Sequence, residues 1–307
     1  MKLYFAPLEG ITTYTYRNTH KEMFGECDAY YAPFINPSEN EKISMKNLRD
    51  IMPEKNGDTN IKVQVLTNNA VSFLKFEDKV RELGYDEINI NLGCPSGTVV
   101  HKGRGAGFLA DVDALDRFMD EIFSKTKSKI SVKTRSGLLS GDEMDGLMQV
   151  YNKYPMSHLI VHPRARKDFY NGTPSKAVFE RAYEVSSNKI CYNGDILSVE
   201  DYNAICGEFP NLDGVMIGRG AIANPAIFRE IKGGRRLTTA ELIEFSERLI
   251  EKYLVVLGSE TYTLQKLKEI WMYVMWNFPE EKKLLKAVKK ANGLSDFRAA
   301  IKCLPNL

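Results

Sequence analysis

A (β/α)₈ barrel of the TIM type, followed by a small C-terminal helical domain, is the fold this sequence predicts. Two observations predict it. Eight strand-like apolar runs recur along the first three quarters of the chain, and a stretch with helical apolar spacing follows nearly every one. Each run also ends in residues able to do chemistry, which packing alone does not explain. In order, the runs are Leu3–Ala6, Ala29–Pro33, Val63–Leu66, Glu87–Asn91, Ile130–Thr134, Leu159–Val161, Ile190–Tyr192 and Gly214–Ile217. Their carboxyl ends carry Pro7, Gln64, Cys94, Lys133, Arg135, His162, Arg164, Asn193, Asp195 and Arg219. In a barrel of this type those ends surround the site.

With 307 residues the chain is long enough for one barrel and an appendage. No apolar run approaches the length of a membrane span, and Met1 leads directly into a strand, so a cytoplasmic protein is expected. The five cysteines form no C-x-x-C pair, which argues against a zinc knuckle or a disulfide scaffold. No metal site is predicted.

The barrel is expected over residues 1–234 and the helical domain over 235–307, divided at Gly233-Gly234-Arg235-Arg236. Thr238 to Glu241 reads as a capping box opening a helix that runs to Gly258. A second helix carries Leu264, Leu267, Trp271, Val274 and Met275 and ends before Pro279. A third spans roughly 280–292, and a fourth starts near Ser295. The aromatic and Met positions of this tail are expected in its core. The tail holds 13 Lys and Arg against 9 Asp and Glu, so it is more basic than the whole chain at +2. Lys282, Lys283, Lys286, Lys289 and Lys290 fall on one face of the third helix. A solvated face would explain any lysine run, but five like charges on one stripe make better sense beside a phosphate backbone.

Asn193-Gly194-Asp195 after the seventh run and Gly218-Arg219-Gly220 after the eighth suit a phosphate. Glycines admit backbone N–H groups close to an anion, and Arg219 adds a charged fork. Cys94 lies on a Gly/Pro turn past the fourth run, where it could be a nucleophile or a proton donor. No His–Asn partner pattern is evident, so proton donation is the more economical role. Lys133 needs an anionic partner at a barrel mouth; it could form a Schiff base or stabilise a negative ring. His162 reads as a site residue and His20 and His158 as structural, whereas His101 has no assigned place.

In their order, these motifs resemble the flavin-dependent tRNA dihydrouridine synthases, over nearly the whole chain. The resemblance rests on Ala6-Pro7-Leu8-Glu9-Gly10-Ile11-Thr12, on Tyr85 through Ser96 with Asn91-Leu92-Gly93-Cys94-Pro95, and on Lys133-Thr134-Arg135-Ser136-Gly137. His162-Pro163-Arg164, Asn193-Gly194-Asp195 and Gly218-Arg219-Gly220 complete it. It implies FMN at the mouth, with Pro7, Leu8 and Glu9 beside the ring and Gln64 and Lys133 on its polar edge. His162, Asn193, Gly194, Asp195, Gly218 and Arg219 would hold the ribityl chain and phosphate. Asn91, Arg135 and Arg164 would meet the substrate, and the five tail lysines the tRNA. The implied reaction is reduction of tRNA uridines to 5,6-dihydrouridine with NADPH as donor and Cys94 as acid. The family often has Thr after Arg164; here Ala165 stands there. A flavin ene-reductase or dihydroorotate-type dehydrogenase acting on a small molecule is the main rival reading. It leaves the basic tail unexplained. An aldolase using Lys133 and a non-catalytic RNA-binding protein are weaker rivals.

Overall fold

The structure is a computed structural model that describes residues 1–37 and 48–307. Eight parallel strands close into a barrel in sequence order: β1 Lys2–Phe5, β2 Ala29–Tyr31, β3 Ile61–Val65, β4 Glu87–Leu92, β5 Lys129–Arg135, β6 Leu159–His162, β7 Ile190–Tyr192 and β8 Gly214–Ile217. β8 pairs with β1, which leaves no free edge. The eight expected runs are these strands, with small shifts. β2 stops at Tyr31, two residues before Pro33, which has no N–H to give the ladder. β3 begins at Ile61 rather than Val63, because Ile61 and Lys62 already pair with Tyr30 and Tyr31.

Strand alternation sorts the side chains into two layers. Leu3 and Phe5 of β1, Val63 and Val65 of β3, Ile88, Ile90 and Leu92 of β4, and Leu159 and Val161 of β6 pack outward against the helices in one large core. Inside the barrel, Tyr4, Ala6, Ala29, Tyr31, Ile160, Cys191 and Met216 form a smaller apolar cluster from β1, β2 and β6–β8. The opposite interior positions are polar: Lys62 and Gln64 of β3, Asn89 and Asn91 of β4, Ser131, Lys133 and Arg135 of β5. The barrel is thus lined unequally, apolar on one side and hydrogen-bonding on the other.

The C-terminal region is helical as expected. Its first helix, Thr239–Leu257, opens on the Thr238–Glu241 capping box and ends at Gly258, with φ 62°. Glu260–Val274, Lys282–Lys290 and Leu294–Ile301 follow. The third starts two residues later than its sequence suggests, since Pro279 and the two glutamates form the turn before it. Residues of the first helix pack on Tyr14–Met23, and those of the second on the short helix Arg219–Ala223 after β8. Trp271 fills the core between helices, donating to Ser246 Oγ at 3.1 Å and meeting Phe297 edge-on. The expectation that the tail's aromatics lie in its core fails for Trp276 and Tyr262 and holds only in part for Tyr273. Trp276 is 44% and Tyr262 61% exposed, and Tyr273 is half-buried. Trp276 and Tyr262 face solvent, whereas Tyr273 packs partly against the core and turns toward the barrel mouth. No described helix is long and apolar enough to cross a membrane.

Candidate active site at the barrel mouth

The carboxyl ends of the strands enclose a cavity of about 250 Å³, joined to a smaller lobe of about 60 Å³. Pro7, Leu8 and Glu9 from the β1 loop, Gln64, Asn91, Cys94, Lys133 and Arg135 line the larger. Asn193, Gly194, Asp195 and Gly218 line the smaller, and Lys133, His162 and Arg219 face both. The structure therefore gathers the strand-end residues singled out in the sequence, apart from Arg164.

A chain of side-chain amides holds the Cys94 turn. Asn89 Nδ2 donates to Ser131 Oγ (2.9 Å), Gln64 Nε2 to Asn89 Oδ1 (2.7 Å) and Asn91 Nδ2 to Gln64 Oε1 (2.7 Å). Asn91 Oδ1 then accepts the backbone N–H groups of Gly93 (3.0 Å) and Cys94 (2.9 Å). Each amide fixes the next, so the thiol's place is set from β5 inward. Gly105 presses on this turn from outside: a Cβ there would lie 2.9 Å from Cys94 O, at a φ of 55°. Burial pushes the Cys94 thiol up, and nearby Glu9 adds to this against the pull of Arg135 and Lys133. It is a protonated thiol at neutral pH, which suits a proton donor better than a nucleophile.

The cations outnumber their partners. Lys133 has no hydrogen-bond acceptor or carboxylate among the described residues. Burial, then Arg135, lowers its pKa to about 8. Burial and the surrounding Lys133, Arg135, Arg164 and Arg219 keep His162 neutral. Arg164 donates to its Nε2 (3.2 Å), which leaves the ring proton on Nδ1. Asp195 is the one acid of the small lobe, and it accepts from Arg164 (2.5 and 3.0 Å) and Arg219 (2.5 Å). Burial opposes its ionisation, but these guanidiniums hold the carboxyl below its usual range. Arg164 is buried behind His162 and Asp195, also donating to the carbonyls of Asn171 and Gly172, and it lines neither lobe. Arg135 is braced by Gly93 O and Ala165 O, both at 3.0 Å. Ala165 thus serves through its carbonyl, and its side chain is buried.

The donors match a phosphate-bearing planar ring. In the small lobe, the backbone N–H groups of Gly194, Asp195 and Gly218 have no protein acceptor among the described residues. Gly220 keeps the loops close: a Cβ there would fall 2.0 Å from Ile196 O. In the larger cavity, Gln64, Lys133 and Arg135 offer donors to an electron-rich edge. This donor set fits FMN.

Three wall residues escaped the sequence reading: Tyr170, Tyr273 and Phe34. The Arg219 guanidinium carbon lies 4.6 Å and that of Arg135 5.3 Å from the Tyr170 ring centre. Tyr273 comes from the tail, so the tail completes the mouth. A signal for it existed, since Trp271 and Tyr273 cannot share one helix face. The five lysines of Lys282–Lys290 are exposed and lie outside the cavity, opposite buried Leu284 and Val288. His101 is exposed and does not line the cavity. His20 is buried between Tyr30 Oη and Pro225 O.

Comparison with known proteins agrees with this geometry. A family profile described as dihydrouridine synthase (Dus) matches residues 4–303. The tRNA-dihydrouridine synthase B of Pseudomonas putida is 26% identical over 263 residues, covering 83% of this chain and 76% of that protein. A probable tRNA-dihydrouridine synthase of Staphylococcus aureus is 26% identical, covering 78% and 73%. An Arabidopsis thaliana protein, tRNA-dihydrouridine(47) synthase [NAD(P)(+)]-like, is 29% identical over 59% of this chain, but the match spans only 27% of its length. Among solved structures, the old yellow enzyme of Trypanosoma cruzi superposes with a TM-score of 0.54 at 10% identity, covering 76% of this chain and 88% of that one. Morphinone reductase in complex with tetrahydroNAD gives 0.52 at 9%, covering 77% and 88%. At such identities the likeness is one of fold.

Proposed function

This chain belongs to the dihydrouridine synthase family, and on that premise we propose that it reduces uridines of tRNA to 5,6-dihydrouridine, with FMN at the barrel mouth, NADPH as electron source and Cys94 as acid. The observation that carries the reading is a pair of cavities sharing Lys133, His162 and Arg219 in their walls, which set a phosphate-type lobe and a protonated cysteine on either side of an unpaired lysine.

The residues divide the work. The free N–H groups of Gly194, Asp195 and Gly218, with Arg219, would hold the FMN phosphate. Asp195 aims Arg219 and Arg164, and Arg164 in turn fixes the His162 tautomer with the proton on Nδ1, which would be available to the cofactor. Gln64 and Lys133 would hold the polar edge of the ring, beside Pro7, Leu8 and Glu9. Bound there, the flavin supplies hydride chemistry that no side chain of this site offers. Arg135 and Asn91 would orient the uracil, and Cys94 would protonate its carbon 5. The target base must leave its stack to reach this depth. The lysines of Lys282–Lys290 would meet the phosphate backbone, which favours tRNA over a small molecule as substrate. We assign residues 1–234 to the catalytic barrel and 235–307 to tRNA binding, although Tyr273 belongs to both.

The test is direct. The purified protein, supplied with FMN and NADPH, is incubated with unmodified tRNA, and dihydrouridine is measured by mass spectrometry of the digested nucleosides. Dihydrouridine at a defined position is the expected product. Oxidation of NADPH by small enones or orotate-like rings without any change in tRNA would overturn the substrate in favour of the small-molecule rival.

A further inference from the structure

We propose that Trp276, with Tyr273 and Tyr170, forms a second nucleobase subsite at the rim of the cavity, which stacks a base next to the target uridine. The inference rests on the reading of tRNA as substrate and extends it to a neighbouring nucleotide.

The geometry is a ladder of flat groups leading out of the cavity. Arg135 lies against the Tyr170 ring at 5.3 Å, Arg219 against the same ring at 4.6 Å, and Arg219 against the Trp276 indole at 5.7 Å. Tyr273, which lines the cavity, meets Trp276 with ring centres 5.3 Å apart at 65°. The outer members are open to solvent: Tyr170 is 52% exposed and Trp276 is 44% exposed. The same region buries its other tryptophan, Trp271, to 1%. The tail therefore has a place for a core indole, and Trp276 does not occupy it.

The platform is also held still. Asn277 Nδ2 donates to Ala223 O (2.7 Å) on the short helix after β8 and to Val274 O (3.0 Å). This pins the turn that carries Trp276 to the short helix that opens with Arg219. A fixed aromatic face beside a guanidinium stacks any base, because every base offers a π-face. Charge selects among flat ligands. The exposed lysines of Lys282–Lys290 begin six residues after Trp276, and they suit a polyanion. Extrusion of the target uridine leaves its neighbour with one face unstacked. An indole at the rim replaces that lost stack.

The chain's two tryptophans make the test selective, because Trp271 is a buried reference in every variant. The FMN-loaded protein is titrated with an unmodified tRNA transcript, following tryptophan emission and affinity at several salt concentrations. Parent protein should show quenching on binding. Trp276→Leu should lose the quenching and bind about 5- to 150-fold more weakly, the range of one stacked base, with the salt slope unchanged. Trp276→Phe should recover most of the affinity, and NADPH affinity should be equal in all three. The proposal is overturned if Trp276→Leu binds the transcript like the parent, or if Trp276→Phe binds no better than Trp276→Leu. It is also overturned if NADPH affinity falls with Trp276, since the ledge would then serve the dinucleotide's adenine. Failure of the tRNA reading itself looks different: the parent would show no salt-dependent affinity for the transcript, and replacing the five lysines with Gln would change nothing.

Discussion

The two ends of the barrel both bury charge, and they do so in opposite ways. At the amino-terminal floor every charge has a counterpart. Lys62 pairs with Glu87 at 2.7 Å, Ser157 Oγ donates to Glu87 (3.2 Å), and His158 lies 3.7 Å from the same carboxylate. His158 also shares a 2.5 Å hydrogen bond with Tyr31 Oη and stacks on Tyr4, whose hydroxyl donates to Asp213. Lys2 reaches Asp213 at 3.8 Å. At the mouth, Asp195 pairs with Arg164 and Arg219 alone, Lys133 and Arg135 have no ion pair among the described residues, and Glu9 is the one other carboxylate lining the cavity. A balanced network closes a barrel; an unbalanced one waits for an anion. Proximity of charged groups does not separate floor from site. Their arithmetic does.

The sharpest way to break this comparison is at the mouth, where the thiol should matter to chemistry and not to binding. Cys94→Ala should bind FMN as the parent does and accept electrons from NADPH at the same rate. Its flavin should then be reoxidised by tRNA about 10²–10⁴-fold more slowly, the usual worth of a placed acid. Single-turnover absorbance of the flavin measures each step apart. Equal reoxidation rates in both proteins would leave Cys94 a packing residue.

At the floor the same kind of substitution should cost stability and leave chemistry alone. Glu87→Gln strands the partly buried Lys62 and removes the partner of His158. A loss of roughly 2–3 kcal/mol in urea unfolding is expected, below the figure for a fully buried pair because Lys62 keeps some contact with water. The pH dependence should differ too. Although burial opposes it, Lys62 and His158 hold the Glu87 carboxyl below its usual 4.5, so its stabilisation is complete above that pH and is lost as pH falls through the folded value. Burial also lowers His158 from 6.5, so the unfolded chain takes up a proton first and stability declines below pH 6.5. The parent should lose stability in both windows, and Glu87→Gln should lack the lower one. Parallel pH profiles would show that the floor network carries no stability.

Much of the mouth was legible because chemistry and secondary structure coincide there. Lys133, His162, Asn193 and Arg219 close apolar runs, and such runs announce themselves. Asn89 did not, because it sits inside a run rather than at its end; only barrel closure, which turns alternate residues of β4 inward, gives it a role between Gln64 and Ser131. Arg164 has the spacing of a cavity residue beside His162, but Pro163 ends the strand and the chain turns behind it. Trp276 and Tyr273 looked like core because helical tails usually bury their aromatics. Had the helix run on toward Pro279, Trp276 would fall about 140° round it from Trp271 at 100° per residue; in the structure the helix ends at Val274 and Trp276 sits on the 3-10 turn Met275–Asn277. That its face meets Arg219 rather than another helix depends on how the tail seats on the barrel, and no local pattern encodes that.

The smallest predicted effect tests the imbalance itself. Lys133 has a pKa of about 8 in the protein without ligand, lowered chiefly by burial and then by Arg135. An anionic partner favours the charged ammonium and raises that value on binding. Between the two values binding takes up a proton, so FMN affinity should weaken as pH rises above about 8, by at most about tenfold per unit. Over pH 7–9 burial keeps the neighbouring His162 neutral. Lys133→Met should bind FMN more weakly at pH 7 and with no dependence on pH in this range. Fluorescence titration of FMN at half-unit intervals gives both curves. The same slope in Lys133→Met and parent would assign the proton to another group, and the unpaired lysine would then be no measure of what the mouth is built to hold.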